Sequence, residues 1–497
     1  MLTLTGYDLN LPDLLDAARG TTSVALAPEG LERMRQSREV IDTAIADQVP
    51  VYGVTTGLGA RATEPLDETT LADFSLQTLR GRAHAIGPPM PRDVVRAAMI
   101  LRANTLLLGH AGARGAVARH LVDCLNADLT PVVGVIGSLG VADLIPNATL
   151  GLALVGEGEM TTADGQAGPS GDVMRTAGIE PLALGPRDGL ALANHASLVA
   201  ALSCVGLGAA QYSFHAAQSA AALSLLAFDA NLAPFTERLL ALRPLPGQAL
   251  AAATIRDMLS GSALWKPGQA RRLQDPLSFR NIPQIHGTAD AALSALDALL
   301  WIEMNASSDN PAVLADSGEV LSTGNYFSAE LANTVETVNR SFVHLTVAQL
   351  ARISKHLNPA FSDLPLFLAL PESGSNGFAP LMKTAEAILG ALLHQAAPSP
   401  IWPSVNANGV EDCLSGAPIA ATSLAQIAAL SAQLSAVELI VAAQALDLRG
   451  TSAADMGAIA DLHHWVRACS DPLTTDRPLA ADVTRIALAI SQGDLMA

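Results

Sequence analysis

The chain has 497 residues, of which 50% are hydrophobic and only 15% charged, with 47 acidic against 29 basic side chains and a net charge of -18. That acidity argues against nucleic acid as a partner, and four scattered cysteines (Cys124, Cys204, Cys413 and Cys469) show no metal-type or redox-type spacing, as expected of a reduced cytoplasmic chain. A mean hydropathy of +0.32 exceeds the needs of a soluble monomer and points to apolar surface buried between subunits.

Nothing inside the chain reads as a long linker, so one large body with subregions is expected. The first residues carry no basic region ahead of an apolar run, and no secretion signal is expected. Residues 13–19 and 28–47 read as helices joined by turns. Val51-Tyr52-Gly53-Val54-Thr55-Thr56-Gly57-Leu58-Gly59 follows, a loop with three glycines around one aromatic and two hydroxyls. It lacks the Lys-Ser/Thr ending of a phosphate cradle, and Tyr52 reads either as a turn aromatic or as a catalytic side chain.

Helices at 71–85, ending near His84, and at 92–108 lead to Gly137-Ser138-Leu139-Gly140-Val141-Ala142-Asp143-Leu144-Ile145-Pro146. Here a glycine-punctuated turn feeds an apolar segment that closes on the acidic turn Gly156-Glu157-Gly158-Glu159. Residues 161–180 read as a hairpin or surface excursion. Asn194-His195 lies in an apolar context and must be hydrogen-bonded if buried, as a helix cap or as site residues. Two stretches, 197–228 and 422–446, are long enough to span a membrane. Both carry polar residues (Gln211, His215 and Gln218 in one, Gln426, Gln433 and Glu438 in the other) and are rich in Ala and Ser. No span is expected; small residues at helical spacing favour close-packed long helices in a multi-subunit bundle.

The densest polar cluster, 271–287, includes Arg271, Arg272, Gln274, Asp275, Arg280 and His286. An arginine there is equally suited to fork onto a substrate carboxylate or to pair with Asp275. A helix at 288–304 ends in the breaker run 305–311, and a hairpin-like segment ends at Gly324-Asn325-Tyr326-Phe327, ahead of a long helix at 328–356. Lys383 is one of three lysines against twenty-six arginines. It sits among apolar residues behind the loop 371–378, and reads as a site ammonium or as a snorkelling partner of Glu386. Asn406-Ala407-Asn408-Gly409-Val410-Glu411-Asp412-Cys413 is a polar turn before the last long helix, and a short helical tail follows. The sequence shows no repeat and no metal cluster.

Taken in order, Tyr52 in YGVTTGLG, His84 after its helix, GSLG and GEGE, Asn194 after GLALA, QDPLSFR, SSDNP, GNYF and VEDC resemble the histidine and aromatic amino acid ammonia-lyases over nearly the whole chain. The resemblance implies a mostly α fold, a large elongated helical bundle with a smaller N-terminal mixed region. The implied divisions are 1–195, carrying the Tyr52 loop and the glycine turn, 196–470 as the long-helix core, and 471–497 as the tail. It also implies a homotetramer whose active sites are each built from three subunits. Carried over by position, Tyr52 is the base that removes a β-proton, and Arg280 holds the substrate carboxylate with Asn194 and Asn310. His84 and Glu411 contact the substrate side chain, Glu411 as in members that bind an imidazole ring, and Gln274 and Tyr326 line the pocket.

The sequence also departs from the family. Members carry Ala-Ser-Gly-Asp at the glycine turn, and the first three residues cyclise into an electrophilic methylidene-imidazolone. Here the place reads Val141-Ala142-Asp143, one residue shorter, and Ser138 is followed by Leu139, whereas the cyclisation needs a serine followed by glycine. Leu277 and Phe327 stand where a tyrosine and a histidine are expected. No cofactor and no metal are therefore expected. Without the electrophile the substrate has to bring its own leaving group, and a trimethylammonium does so. The family includes members that eliminate trimethylamine from ergothioneine to give thiourocanate, with a lysine and a glutamate at the ring. Lys383 and Glu411 match them, the lysine facing the thione sulfur. A phenol must be ionised to act as a base, and free tyrosine ionises near ~10, so the role needs a matched environment or an acidified substrate proton. The alternatives are another betaine such as hercynine, a histidine ammonia-lyase with an unusual loop, or an inactive imidazole-binding homologue.

Overall fold

A computed structural model describes residues 1–66 and 68–495, without the side chains of 68–72. The fold is mostly α, as expected, with about 60% of residues helical. Its contacts divide the chain into two units that are not contiguous in sequence. One comprises residues 1–205, 297–333 and 399–422, and the other 206–296, 334–398 and 423–497. The expected cuts at 195 and 470 are therefore not where the packing divides: two later segments return to the N-terminal unit.

The first unit is the mixed one. Helix Arg92–Leu106 is buried from Val94 onward on every face, and Leu11–Ala18 and Gly115–Asn126 pack against it. Its interior polar groups must find partners. Asn104 does so by accepting from the Gly6 amide at 2.9 Å and donating to the Met304 carbonyl at 2.9 Å. Four small sheets border these helices: Leu2–Leu4 parallel to Val24–Leu26, Ile86–Pro89 against Gly134–Ile136, a three-stranded set ending in the Glu159–Thr161/Ala167–Pro169 hairpin, and the hairpin Ala312–Leu314/Glu319–Leu321. The helix expected at 71–85 is Glu68–Arg80. Helix Asp188–Ala193 lies so close to it that a Cβ at Gly189 would come within 2.1 Å of the Ser75 carbonyl oxygen.

The second unit holds most of four long helices, Ser197–Ala227, Ile282–Met304, Ala329–His356 and Ala417–Arg449. Their contact faces are built from small residues such as Ala220, Ala221, Ala436, Ala442 and Ala443, all fully buried, which lets the backbones approach closely. Among the described residues two helices are long and apolar enough to cross a membrane, but their apolar windows are 89% and 72% buried within the protein, as in core helices. The last helix, Ala480–Gln492, contributes Val483, Ile486 and Ile490 to the same core, so the tail is part of the unit.

Inside this unit Arg352 and Glu438 form a fully buried ion pair, with Nε–Oε1 2.5 Å and Nη2–Oε2 3.0 Å. Ser224 donates to the carboxylate at 2.8 Å, and Arg352 donates to the Ser278 carbonyl at 3.1 Å. Removing one partner strands a charge away from water. Arg352→Met is expected to cost about 3–5 kcal/mol, read as a fall in the denaturant midpoint, while Arg352→Met/Glu438→Leu recovers much of the loss.

Candidate active site

In the first unit a second buried ion pair sets the geometry of a cavity. Arg102 meets Asp309 through two bonds, at 2.7 and 3.1 Å, and both side chains are essentially inaccessible. Arg102 also donates to the Ala191 carbonyl at 2.5 Å. Arg187 donates to the carbonyls of Ala111 (2.7 Å) and Pro311 (2.8 Å). Burial opposes the Asp309 charge, but Arg102 outweighs it and holds the carboxyl below its ordinary value. Burial likewise pulls Arg187 down to about 10. The result is that the turn after Ala193 and the 309–311 turn are tied together, and Asn194 donates to the Asn310 carbonyl at 2.7 Å. His195 is consumed structurally: one ring nitrogen faces the Leu192 carbonyl at 3.0 Å, and the other accepts from the Ser197 amide at 3.3 Å.

A cavity of about 570 Å³ opens beside this framework, within the range of small-molecule sites. Tyr52, Asn194, Asn310, Tyr326 and Glu411 all line it. The Tyr52 loop is wound tightly, with the amides of Val54, Thr55 and Thr56 all donating to the Val51 carbonyl. Gly53, at φ +66°, leaves no room for a side chain, since a Cβ would lie 2.4 Å from Leu190. The Tyr52 hydroxyl accepts from the Gly59 amide at 2.9 Å. Tyr326 is half-buried, and burial raises its phenol, reinforced by Tyr52 and Glu411. A larger cavity, about 870 Å³, lies in the second unit. It is mostly apolar, and its charged groups are engaged, Asp476 by Asn376 and Gly377 and Arg477 by Asp482. The chemistry-bearing residues converge on the smaller one.

The glycine turn forms part of the cavity wall. Val141 and Ala142 line it, and Val141 bridges to Phe327. Ala142 and Asp143 are both left-handed, at φ 61° and 47°. Asp143 points away into protein, accepting from Ser138 Oγ and from the Val199 amide at 2.9 Å. The Ala142 carbonyl accepts from Asn147 at 3.1 Å and from the His195 amide at 3.2 Å. Ser415 donates to the Gly140 carbonyl at 2.8 Å. A methylidene-imidazolone does not fit these residues. Ala142 has no hydroxyl to lose, and Ser138 is held by Asp143 with Leu139, not glycine, after it.

Other expected site residues lie elsewhere. His84 is exposed and does not line the cavity, because the helix stops at Arg80 and the chain leaves it through Gly81. Arg82 lines the cavity instead, a residue that the sequence reading passed over although it stands two positions away. Gln274, Arg280 and Lys383 belong to the second unit and are not among the lining residues. Arg280 donates to Gln274 at 3.0 Å, whereas Asp275 accepts from the Asn231 amide at 2.6 Å, so Arg280 and Asp275 do not pair. Lys383 is exposed and forms no ion pair with Glu386.

Burial pushes the Asp143 carboxyl up to about 6 from 3.8, against the Ser138 and Val199 donors. The folded state thus favours the neutral acid. Its contribution to stability is complete below about pH 4 and is lost as pH rises through 6. Asp143→Asn imitates the neutral form and keeps an acceptor for the Val199 amide. The variant is expected to match the parent near pH 4 and to exceed it at pH 8 by on the order of 2–3 kcal/mol. Thermal unfolding across that range checks this, and a pH-independent difference rejects it.

The aromatic amino acid lyase family model matches residues 9–468. The chain is 34% identical to the histidine ammonia-lyase of Deinococcus radiodurans over 98% of this chain and 93% of that relative. It is 35% identical to the histidine ammonia-lyase of Anaeromyxobacter sp. strain K over 99% of both. Among solved structures it superposes on ergothionase from Treponema denticola, in complex with desmethyl-ergothioneine sulfonic acid, with a TM-score of 0.94 at 28% identity, covering 100% of this chain and 99% of that one. Histidine ammonia-lyase from Trypanosoma cruzi gives a TM-score of 0.91 at 26% identity, covering 99% and 94%. The chain therefore belongs to the aromatic amino acid lyase family, and its class of chemistry is that of a carbon–nitrogen lyase.

Proposed function

We propose that the protein is a lyase that works without the methylidene-imidazolone, eliminating trimethylamine from ergothioneine to give thiourocanate. The observation that carries this reading is the cavity wall. Tyr52 and Glu411 are retained there, but the turn meant to supply an electrophile presents Val141 and Ala142. Similarity to an ergothionase supports it. Tyr52 acts as the base that takes the β-proton, the Cα–N bond breaks, and the electron pair of the broken C–H bond forms the Cα=Cβ double bond. Trimethylamine departs neutral, so the leaving group needs no proton and no electrophile. Glu411 accepts the imidazole N–H, and the aromatic faces of Tyr326 and Phe327 receive the methylated cation. Asn194 and Asn310 bind at the carboxylate end.

Arg280, Gln274 and Lys383 fit this reading if they come from neighbouring subunits of a homotetramer. Arg280 then clamps the carboxylate and Lys383 faces the thione sulfur. The working compartment is the cytoplasm, consistent with four cysteines that are all free. A second reading, histidine deamination, is favoured by the names of the sequence relatives. It requires activation of a poor amine leaving group, for which Ala142 offers nothing.

Incubation with ergothioneine, hercynine and histidine separately is expected to release trimethylamine and a conjugated product from ergothioneine alone. Ammonia from histidine, or an intact mass lower by two waters, would restore the second reading. Tyr52→Phe is expected to lower kcat by about 10²–10⁴-fold. Mixing Tyr52→Phe with Arg280→Met protein under subunit exchange is expected to restore part of the activity, because some sites in the hybrids then carry both native residues. No recovery despite exchange would reject shared sites.

A further inference from the structure

Arg82 lines the cavity, but the reaction above gives it no task. It is half-buried, in contrast to Arg61, the other arginine of the lining, whose side chain is 78% exposed. Only one of its five N–H donors is committed, to the Thr78 carbonyl at 3.3 Å, and it makes no ion pair among the described residues. Burial disfavours its charge, while Tyr52 and Glu411 both lie near enough to favour it. A half-buried guanidinium with idle donors, lining a cavity, is available to an acceptor on whatever binds there.

Glu411 narrows the choice of acceptor. A carboxylate and a guanidinium that line one cavity, near enough for the charge of one to act on the other, present an acceptor and a donor together. The complementary ligand edge carries a donor next to an acceptor. An imidazole-2-thione has that edge, a ring N–H adjacent to a C=S sulfur at the negative end of the thioamide dipole. Plain imidazole has a C–H in place of the sulfur, and its acceptor is the second ring nitrogen beyond C2, so the position that the sulfur would occupy offers the guanidinium nothing.

We propose that Arg82 reads the substituent at C2 of the substrate ring, donating to the thione sulfur while Glu411 accepts the neighbouring N–H. Arg82 then shares the sulfur with Lys383 and is the residue of this chain's own cavity that separates thioimidazole from imidazole ligands. The inference rests on the reading of the substrate as an imidazole betaine. Discrimination comes chiefly from what the wrong ligand fails to satisfy: a site built to donate a hydrogen bond rejects a ligand lacking the acceptor more strongly than one that merely fits loosely.

Ergothioneine and hercynine differ only by the sulfur, which makes them the probes. Calorimetric binding of each, together with kcat/KM where turnover occurs, is compared for the parent, Arg82→Met and the more conservative Arg82→Lys. Arg82→Met is expected to weaken ergothioneine by about tenfold to a hundredfold and hercynine by less than about threefold, with Arg82→Lys in between. Equal losses for both ligands would assign Arg82 to the shared carboxylate or to the fold and overturn the proposal. Unchanged binding of both, or failure of the parent to bind either, would overturn it too. Ergothioneine binding without trimethylamine release overturns the proposed reaction while leaving the Arg82 test intact.

Discussion

A guanidinium and a carboxylate withdrawn from water must satisfy each other, and the Arg102–Asp309 pair is the constraint on which the site depends. Its partners are 207 residues apart in sequence, and the third contact, to the Ala191 carbonyl, fixes the segment that ends in Asn194. Asn194 and Asn310 are thereby brought to hydrogen-bond distance on the cavity wall. A neutral packing contact between the same segments would tolerate sliding. Two parallel charge-assisted bonds do not, because each has a preferred length and direction. Arg187, buried beside them and anchored to two carbonyls, adds a second cation that steadies the same turn.

The glycine turn is held by its surroundings more than by its own residues. Its two left-handed non-glycine residues are costly, yet hydrogen bonds from outside residues 141–143 hold it. Asn147, the His195 amide, the Val199 amide and Ser415 all act on it. The shape of the turn therefore does not depend on the side chains of Val141 and Ala142. The turn presents an apolar wall at Val141 and Ala142 to the cavity.

Helix identity was legible where periodicity and breakers agreed, as at Pro28–Ala46, Arg92–Leu106 and Ala329–His356. Helix ends were less so. The helix expected to reach residue 85 stops at Arg80, and that difference turns Arg82 toward the cavity and His84 toward solvent. Local pattern is blind to this because Gly81 is tolerated inside a helix as well as after one. The open choices at Arg280 and Lys383 were of the same kind. Spacing permits a pair with Asp275 or Glu386, but whether it forms is settled by competing partners such as Gln274 and by solvent.

The amino-acid sequence by itself determined which chemical groups exist. It supplied a tyrosine in a glycine loop, a glutamate in VEDC, an arginine in QDPLSFR and no serine followed by glycine at the turn; such facts are covalent and survive any folding. Tertiary structure alone decided which of them share a cavity. Tyr52, Arg82, Val141, Asn194, Asn310, Tyr326 and Glu411 meet although they are spread over most of the chain. Their convergence is set by buried pairs and backbone hydrogen bonds between distant segments, and no local periodicity encodes it.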